Sequence, residues 1–425
     1  MNVRSVADLS PDERASCFDR DAGVAAVRDD VADIVDRVRR EGDVALRALA
    51  SEFDDVEVGQ LEVTDEAERA YEAVDADLRA AIETAAENIR AFHERQRPED
   101  WRETFDGREL GRRFRPLDRV GVYAPGGTAA YPSSALMGLI PAAVAGVEHV
   151  AVATPPADDM NEATLAAVHV AGADAVYQVG GAQAVAALAY GTETVPAVRK
   201  VVGPGNAYVT AAKAEVRGDV EIDFLAGPSE LLVVCDDTAD PEIVAADLLA
   251  QAEHDTEAAV ACVTDDRATA EAVVDACERQ AADRSRDDVI RAALENDGSG
   301  VYLARSLSEA VLFAEEYAAE HLSIVTADDE AVLDRIDSAG SVFLGPHSPV
   351  SAGDYASGPN HVLPTGGLAA VTGGLSVDQF LRSTTVQKLD REALVDLRGT
   401  VTTLARAESL EAHAASVERR FDDGD

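Results

Sequence analysis

Lysine is almost absent from this chain of 425 residues. Only Lys200, Lys213 and Lys388 occur, and arginine supplies the other basic side chains. The 37 basic residues face 80 acidic ones, which gives a formal net charge of −43. Such a charge repels nucleic acid and anionic membranes, so we expect neither as a partner. Acid excess with little lysine is typical of proteins from concentrated salt, where the Debye length falls to about 3 Å and screens self-repulsion. The composition therefore favours an enzyme from the cytosol of a halophile.

Long apolar runs are missing as well. No run approaches the roughly 18–20 residues of a membrane-spanning helix, and residues 1–12 lack the basic start and apolar stretch of a secretory signal. Hydrophobic residues nevertheless make up 47% of the chain, so the acidity does not indicate disorder. We expect a soluble, cytoplasmic protein, and its length predicts two to four domains.

Cysteine is scarce and widely spaced, with four residues and no C-x-x-C pair. This excludes a disulfide scaffold and a zinc ribbon. Cys235 and Cys262 lie in apolar runs typical of buried strands, so the sequence predicts structural thiols rather than nucleophiles.

Two common phosphate-binding motifs are also absent. No lysine follows a glycine, which excludes the G-x-x-x-x-G-K-[ST] loop, and no G-x-G-x-x-G occurs. Instead, glycine-rich turns follow predicted strands at residues 125–127, 180–183 and 203–206. Their amides could approach a ligand, so a cofactor crevice and simple turns are about equally good interpretations.

The hydrophobic pattern changes along the chain. In the first hundred residues, apolar positions recur every three or four residues, which predicts helices. From Arg119, short β-branched runs alternate twice with alanine-rich helical patterns, and from about Asp378 the pattern returns to helix. We therefore predict an α/β fold of two doubly wound, Rossmann-like lobes with parallel sheets and functional loops at the carboxyl ends of the strands.

Two pairs of polar residues suggest chemistry, although each has a plainer explanation. Gln251 and His254 are three apart on a predicted helix, so they share a face and could bind one metal ion, yet a hydrogen-bonded core histidine is commoner. Glu320 and His321 join a helix to a strand and suit general acid/base catalysis, but a solvated helix end explains them equally well.

Further candidates lie nearer the end of the chain. Asp354 and His361 lie in a loop rich in Gly, Ser and Pro, the kind of segment in which functional sites often occur. Glu408 and His413 lie in the predicted helical tail, where five residues correspond to about 140° around a helix, so they need not share a face.

Long motifs in unbroken order resemble one known family. They are GVYAPGGTAAYPSSALM, VGGAQAVAALAYGT, VVGPGNAYVTAAK, DFLAGPSELLVV, DLLAQAEHD, EHLSIV, AGSVFLG and SAGDYASGPNHVLPTGG. Over residues 120–413 the chain closely resembles the histidinol dehydrogenases. The resemblance implies an NAD-dependent homodimer with one Zn²⁺ per subunit. Such an enzyme oxidises L-histidinol to L-histidine through histidinaldehyde, the last two steps of histidine biosynthesis.

The resemblance also assigns roles to residues of this chain. It implies the zinc ligands Gln251, His254, Asp354 and His413, and the acid/base pair Glu320 and His321. It implies substrate contacts from Ser229, His361 and Glu408, together with His321 and the zinc ligands. It implies an NAD site lined by Tyr123, Gln183 and Asn206. The tail with Glu408 and His413 would be domain-swapped into the site of the partner subunit.

On this basis we expect four regions. They are an N-terminal helical segment (1–22), a discontinuous α/β domain with the metal and acid/base residues (23–119 and 230–376), an NAD-binding α/β domain (120–229) and a helical tail (377–425). Two alternatives remain at this point. One is a thiol-dependent aldehyde dehydrogenase with Cys235 or Cys262 as nucleophile, and the other is an acidic binding protein without enzymatic activity.

Overall fold

The structure, a computed structural model, describes residues 1–18, 20, 23–126 and 131–421. The last two residues of the predicted segment 1–22, the final glycine of the turn at 125–127 and the last four residues of the tail lie outside the described residues. The chain divides into two compact units: Met1–Arg97 with Leu117–Phe380, and Pro98–Pro116 with Leu381–Asp425. Within the described ranges, no helix is long and apolar enough to cross a bilayer.

The regular elements of the described residues are as follows. The strands are β1 (Val3–Ser5), β2 (Trp101–Phe105), β3 (Arg108–Pro116), β4 (Arg119–Tyr123), β5 (His149–Thr154), β6 (Ala175–Gln178), β7 (Lys200–Val202), β8 (Glu221–Ile222), β9 (Glu230–Cys235), β10 (Ala259–Thr264), β11 (Gly300–Leu303), β12 (His321–Val325), β13 (Ser341–Leu344) and β14 (Leu381–Leu389). The helices are α1 (Pro11–Phe18), α2 (Val24–Glu41), α3 (Asp43–Phe53), α4 (Thr64–Ala73), α5 (Ala76–Glu94), α6 (Pro132–Ala145), α7 (Glu162–Ala171), α8 (Gly181–Tyr190), α9 (Ala207–Val216), α10 (Pro241–Ala252), α11 (Arg267–Ala281), α12 (Asp287–Glu295), α13 (Leu307–Tyr317), α14 (Asp329–Leu333), α15 (Val350–Tyr355), α16 (Arg391–Ala407) and α17 (Glu411–Glu418).

The described part of the first unit contains two parallel sheets. One has the order β6-β5-β4-β7-β8, and the other has the order β1-β11-β10-β9-β12-β13. Each series places its first strand between its second and fourth, which is the doubly wound arrangement. Every residue of β9 and β10 is buried, as expected for strands of a parallel sheet with both faces covered. The prediction of an α/β fold with two Rossmann-like lobes is confirmed.

The second unit contains a sheet that the sequence pattern did not predict. There β14 pairs antiparallel with β3, and β3 pairs antiparallel with β2. The tail is therefore helical only from Arg391 onward, in α16 and α17, whereas Leu381–Leu389 is extended. All five residues of β2 are exposed, so this sheet lacks the alternation of apolar and polar residues that marks a half-buried strand.

Helices α2 and α3 pack on the five-stranded sheet rather than on the six-stranded one. Val31 and Leu46 share a hydrophobic cluster with Leu188 of α8 and Val201 of β7. The predicted grouping of residues 23–119 with 230–376 therefore differs from the observed packing of these two helices. The physical reason is that the hydrophobic periodicity shows that each helix has an apolar face, but it does not show which sheet that face packs against.

Candidate active site

The candidate acid/base residues lie at the amino edge of the six-stranded sheet. Helix α13 ends at Tyr317, Ala318 caps it with a left-handed backbone (φ 48°), and the chain enters β12 at His321. Ser229 directly precedes the neighbouring strand β9, and its carbonyl accepts from the N–H of Ala259 at 3.0 Å. The candidate acid/base residues thus lie at the edge opposite the carboxyl ends of the strands, where we expected functional loops, because they occupy connections that lead from a helix into a strand.

Glu320 and His321 are buried, and hydrogen bonds fix both side chains. The Oε2 of Glu320 accepts from the N–H of Glu230 at 2.8 Å. The Nδ1 of His321 lies 3.0 Å from the carbonyl oxygen of Glu230. Because a carbonyl oxygen can only accept, Nδ1 carries the hydrogen, and the neutral imidazole then keeps its lone pair on Nε2.

Asp354, on α15, faces that free nitrogen. Its Oδ1 lies 3.4 Å from Nε2 of His321, and Nε2 makes no hydrogen bond to the described residues. Burial lowers the pKa of His321, but the carboxylates of Glu320 and Asp354 outweigh this effect and hold that pKa well above its usual value. Burial raises the pKa of Asp354, but His321, His361 and His254 together bring it below its usual value.

His361 occupies the other side of the same cleft. Its Nδ1 lies 2.8 Å from the carbonyl oxygen of Asp354, and its Nε2 lies 3.2 Å from Oγ of Ser134 on α6. Burial lowers the pKa of His361, so at neutral pH its ring is largely uncharged. The residues that line the cleft are His321, Ser341, Phe343, Gly353, Asp354, Pro359, Asn360, His361 and Leu363.

Gln251 fits a metal site because its amide has no partner. The side chain of Asp240 caps the start of helix α10 by accepting from the N–H of Glu242, and Gln251 lies in the last turn of this helix with 2% of its surface exposed. Neither Oε1 nor Nε2 of Gln251 finds a hydrogen-bond partner in the described part of the chain. His254 is exposed just beyond the helix, near enough to lower the pKa of Asp354.

The described residues alone do not provide a complete metal site. The described residues contain no group of three or more His, Cys, Asp and Glu side chains that could hold a metal ion. An amide oxygen, an imidazole and a carboxylate are nevertheless suitable donors for Zn²⁺, and an unsatisfied buried amide is costly without a ligand. Gln251, His254 and Asp354 therefore fit part of a zinc site.

The candidate NAD residues lie at the carboxyl edge of the five-stranded sheet. Tyr123 ends β4, and its hydroxyl accepts from the N–H of Gly181 at 3.1 Å. Burial, aided by the carboxylate of Asp54, raises the pKa of Tyr123 to about 12, against the effect of the Gly181 N–H. Gln183 is buried in the first turn of α8, and Asn206 caps α9 by accepting from two main-chain amides. Because β4 and β7 adjoin at the switch point, this edge is the usual ligand position of the fold.

A buried ion pair stabilises the turn before α9. Lys213 Nζ donates to Oδ1 of Asp223 at 2.7 Å and to the carbonyl of Gly203, whose N–H donates to Oδ2 of Asp223. Gly203 has a φ of 115°, and a Cβ there would lie 2.2 Å from the carbonyl oxygen of Tyr123. Only glycine is compatible with this approach.

Glu408 and His413 belong to the second unit. Glu408 follows the last residue of α16, Ser409 has a left-handed backbone (φ 60°), and His413 lies in the separate helix α17. Both residues are exposed in the described chain. The angle expected for one regular helix therefore does not apply, because the helix is broken between them.

The two candidate nucleophilic cysteines lack the properties of a reactive thiol. Cys235 and Cys262 are wholly buried in the six-stranded sheet, with their sulfurs 3.5 Å apart. The contact with Cys235 and burial together raise the pKa of the Cys262 thiol well above its usual value. A reactive thiol needs access and a lowered pKa, so these residues contradict the thiol-dependent alternative.

The sequence reasoning did not predict three residues that support the site. Glu230 contacts both members of the acid/base pair, and Arg20 forms a buried ion pair with it (2.8 Å). Asn360 donates to the carbonyl of Met137 at 2.7 Å and accepts from the N–H of Val362, next to His361. The available signal was a carboxylate at the start of the apolar run ELLVVC.

A doubly wound α/β unit with a buried carboxylate–imidazole pair in a cleft is the arrangement expected of an enzyme that uses acid–base chemistry. The family described as histidinol dehydrogenase matches residues 19–421. Histidinol dehydrogenase of Natronomonas pharaonis is 77% identical over 99% of this chain and 100% of that protein. That of Halobacterium salinarum is 74% identical over 100% of both chains. The crystal structure of histidinol dehydrogenase from Elizabethkingia anophelis has a TM-score of 0.93 at 36% identity, covering 99% of this chain and 98% of that one.

The chain therefore belongs to the histidinol dehydrogenase family. It is an oxidoreductase of histidine biosynthesis that acts on an alcohol or aldehyde. This assignment contradicts the alternative of an acidic binding protein without enzymatic activity.

Proposed function

We propose that the protein oxidises L-histidinol to L-histidine in two NAD-dependent steps, with histidinaldehyde between them. The observation that carries this proposal is the buried cluster of Glu320, His321 and Asp354, in which Nε2 of His321 has no hydrogen-bond partner among the described residues. In its deprotonated form His321 has a free nitrogen beside the cleft, and its raised pKa makes that nitrogen a strong proton acceptor, which suits removal of a hydroxyl proton.

Glu320 and His321 have different roles in this mechanism. His321 takes the hydroxyl proton of histidinol as a hydride leaves the adjacent carbon. NAD⁺ supplies the acceptor for that hydride in each step. Glu320 activates the water that adds to the aldehyde, and His321 then takes a proton from the resulting gem-diol. One water is consumed, and two hydrides and three protons leave for each carboxylate formed.

We assign the zinc ligands as Gln251, His254, Asp354 and the partner subunit's His413. The unpartnered amide of Gln251 and the neighbouring charges of His254 and Asp354 support the first three. Zinc would act as a template that orients the imidazole and amino nitrogens of histidinol. Ser229, His361 and the partner subunit's Glu408 would contact the substrate.

We place NAD at the carboxyl edge of the five-stranded sheet, against Tyr123, Gln183 and Asn206. The helix N-termini of α8 and α9 at this edge favour the pyrophosphate. We further propose a homodimer that exchanges its tails, working in the cytoplasm at high salt. The net charge of −43 and similarity to proteins of halophilic archaea support the salt adaptation.

The direct test follows NADH absorbance when L-histidinol and NAD⁺ are mixed with the zinc-loaded protein in concentrated KCl. The expected result is two NADH per histidinol consumed, with histidine as product. A ratio of one with free histidinaldehyde would contradict the proposed second step. No NADH at any salt concentration would contradict the proposal as a whole.

A further inference from the structure

Glu230 contacts both acid/base residues through its main chain. It is the first residue of β9 and has no exposed surface. Its N–H donates to the carboxylate of Glu320, and its carbonyl oxygen accepts from Nδ1 of His321. The register of the sheet creates this contact, because His321 of β12 pairs with Leu231 of β9. The position of Glu230 therefore sets where both side chains point.

The side chain of Glu230 anchors the same segment a second time. Its Oε2 accepts from Nη1 of Arg20 at 2.8 Å and from the N–H of Glu320 at 3.3 Å. Its Oε1 accepts from the N–H of Gly366 at 2.5 Å. Arg20 in turn donates to the carbonyl of Tyr317 at 2.6 Å and lies over that ring. The ion pair thus ties the start of β9 to both ends of the segment between α13 and β12.

Stability alone is a poor explanation for this pair. Burial of an ion pair costs desolvation that often exceeds the attraction between the charges, and an apolar pair of similar size often folds as well. Here the side chains of Arg20 and Glu230 are 3% and 0% exposed. Burial raises the pKa of Glu230 to about 7, even though Arg20 opposes the shift. The pair instead fixes the position of this segment, because three hydrogen-bond donors converge on the Glu230 carboxylate.

We infer that Glu230, with Arg20 as its counter-ion, is a positioning residue that aims the Glu320 carboxylate and fixes the His321 tautomer. The inference rests on the proposed function, because it assigns a role toward that acid/base pair. A glutamine at position 230 cannot replace the carboxylate, because its amide nitrogen would face one of the three donors. If that nitrogen faces Gly366, the segment at Gly366 loses its anchor, and if it faces Arg20 and Glu320, the main chain of Glu320 must shift.

The experiment compares the wild-type protein with Glu230→Gln and with the double variant Arg20→Met, Glu230→Gln, which leaves no unpaired guanidinium. The control is Asp43→Asn, another buried carboxylate, which accepts from the hydroxyls and an N–H of Thr192 and Thr194 away from the site. For each protein, kcat and KM for L-histidinol, zinc content and melting temperature are measured. Both Glu230 variants are expected to lose about 10–100-fold in kcat, the usual effect of removing such a support. Their KM and zinc content are expected to stay close to the wild-type values, because neither Arg20 nor Glu230 is among the residues that line the cleft.

The control separates positioning from folding. Asp43→Asn is expected to lower the melting temperature and to leave kcat unchanged. A wild-type kcat in either folded Glu230 variant overturns the inference, and so does an equal loss of kcat in Asp43→Asn. If the wild-type protein itself does not oxidise histidinol, the proposed function fails and this inference falls with it. If only the variants behave as wild type, the inference alone fails.

Discussion

Replacing Gln251 with methionine separates the metal-binding role of this side chain from its cost to the metal-free fold. Both polar atoms of the amide are buried and unpartnered among the described residues. An unsatisfied buried group costs about 1–3 kcal/mol. Methionine is a flexible, unbranched residue without a polar atom that needs a partner. Metal-free Gln251→Met is therefore expected to be more stable than the metal-free wild-type protein.

The expected shift in melting temperature is small but measurable. Unfolding entropy of about 2.1 cal/mol/K per residue gives about 0.9 kcal/mol/K for a chain of 425 residues. A gain of about 1–3 kcal/mol then raises the melting temperature by about 1–3 °C. Calorimetry with EDTA at fixed KCl measures this shift. Addition of Zn²⁺ is expected to reverse the order, because zinc stabilises the wild-type protein more than a variant that lacks one donor.

Gln280→Met provides the matched control. The amide of Gln280 donates to the carbonyl and to the carboxylate of Glu242, both at 3.0 Å. Its loss is expected to leave stability unchanged or lower, with zinc affinity intact. If metal-free Gln251→Met melts at or below the wild-type temperature, the buried amide of Gln251 does not destabilise the metal-free fold. If the variant keeps full zinc affinity, Gln251 is not a ligand.

Three further outcomes are expected. Glu320→Gln should slow oxidation of supplied histidinaldehyde by about 10²–10⁴-fold, whereas His321→Ala should impair both oxidation steps. A normal rate of aldehyde oxidation in Glu320→Gln contradicts the role assigned to Glu320. After random subunit exchange, a mixture of His254→Ala and His413→Ala proteins should recover about a quarter of its sites, because each mixed dimer has one site without defects; no recovery in verified mixed dimers refutes the shared site. Burial raises the pKa of Asp54 to about 6, so stability from this group is full below its ordinary pKa and is lost as the pH rises through 6. Asp54→Asn should therefore match the wild-type stability near pH 4 and exceed it above pH 6 by about 1 kcal/mol after solvent screening, and a pH-independent difference argues against this cause.

The doubly wound lobes could be predicted because their strands are buried on both faces. A run such as LLVVC at Leu231–Cys235 has one structural explanation when helical patterns flank it. The sheet of β2, β3 and β14 could not be predicted in the same way. Its strands are largely exposed, so their charged residues conceal the strand period, and residues that favour an extended chain are scattered apart from Thr384 to Val386.

The candidate site was predictable only where its residues are neighbours in the chain. Glu320 and His321 are adjacent, and their helix-to-strand junction suggested acid/base chemistry. Glu230 lies 90 residues earlier than Glu320, and only the pairing of β9 with β12 brings them together. A carboxylate at the start of a strand resembles a solvated boundary, so nothing local indicates that Glu230 is buried. Sheet register, which spacing does not reveal, completes the site.

The scarcity of lysine has a practical consequence once the buried positions are considered. The side chain of Lys213 is 3% exposed in its ion pair with Asp223, and Lys200 lies within the parallel sheet with 5% of its surface exposed. Lys388 is exposed on β14 in the second unit. Besides the α-amino group of Met1, an amine-reactive dye therefore has one exposed lysine side chain in the single chain, so a fluorophore can be placed on the unit that carries Glu408 and His413 without mutagenesis.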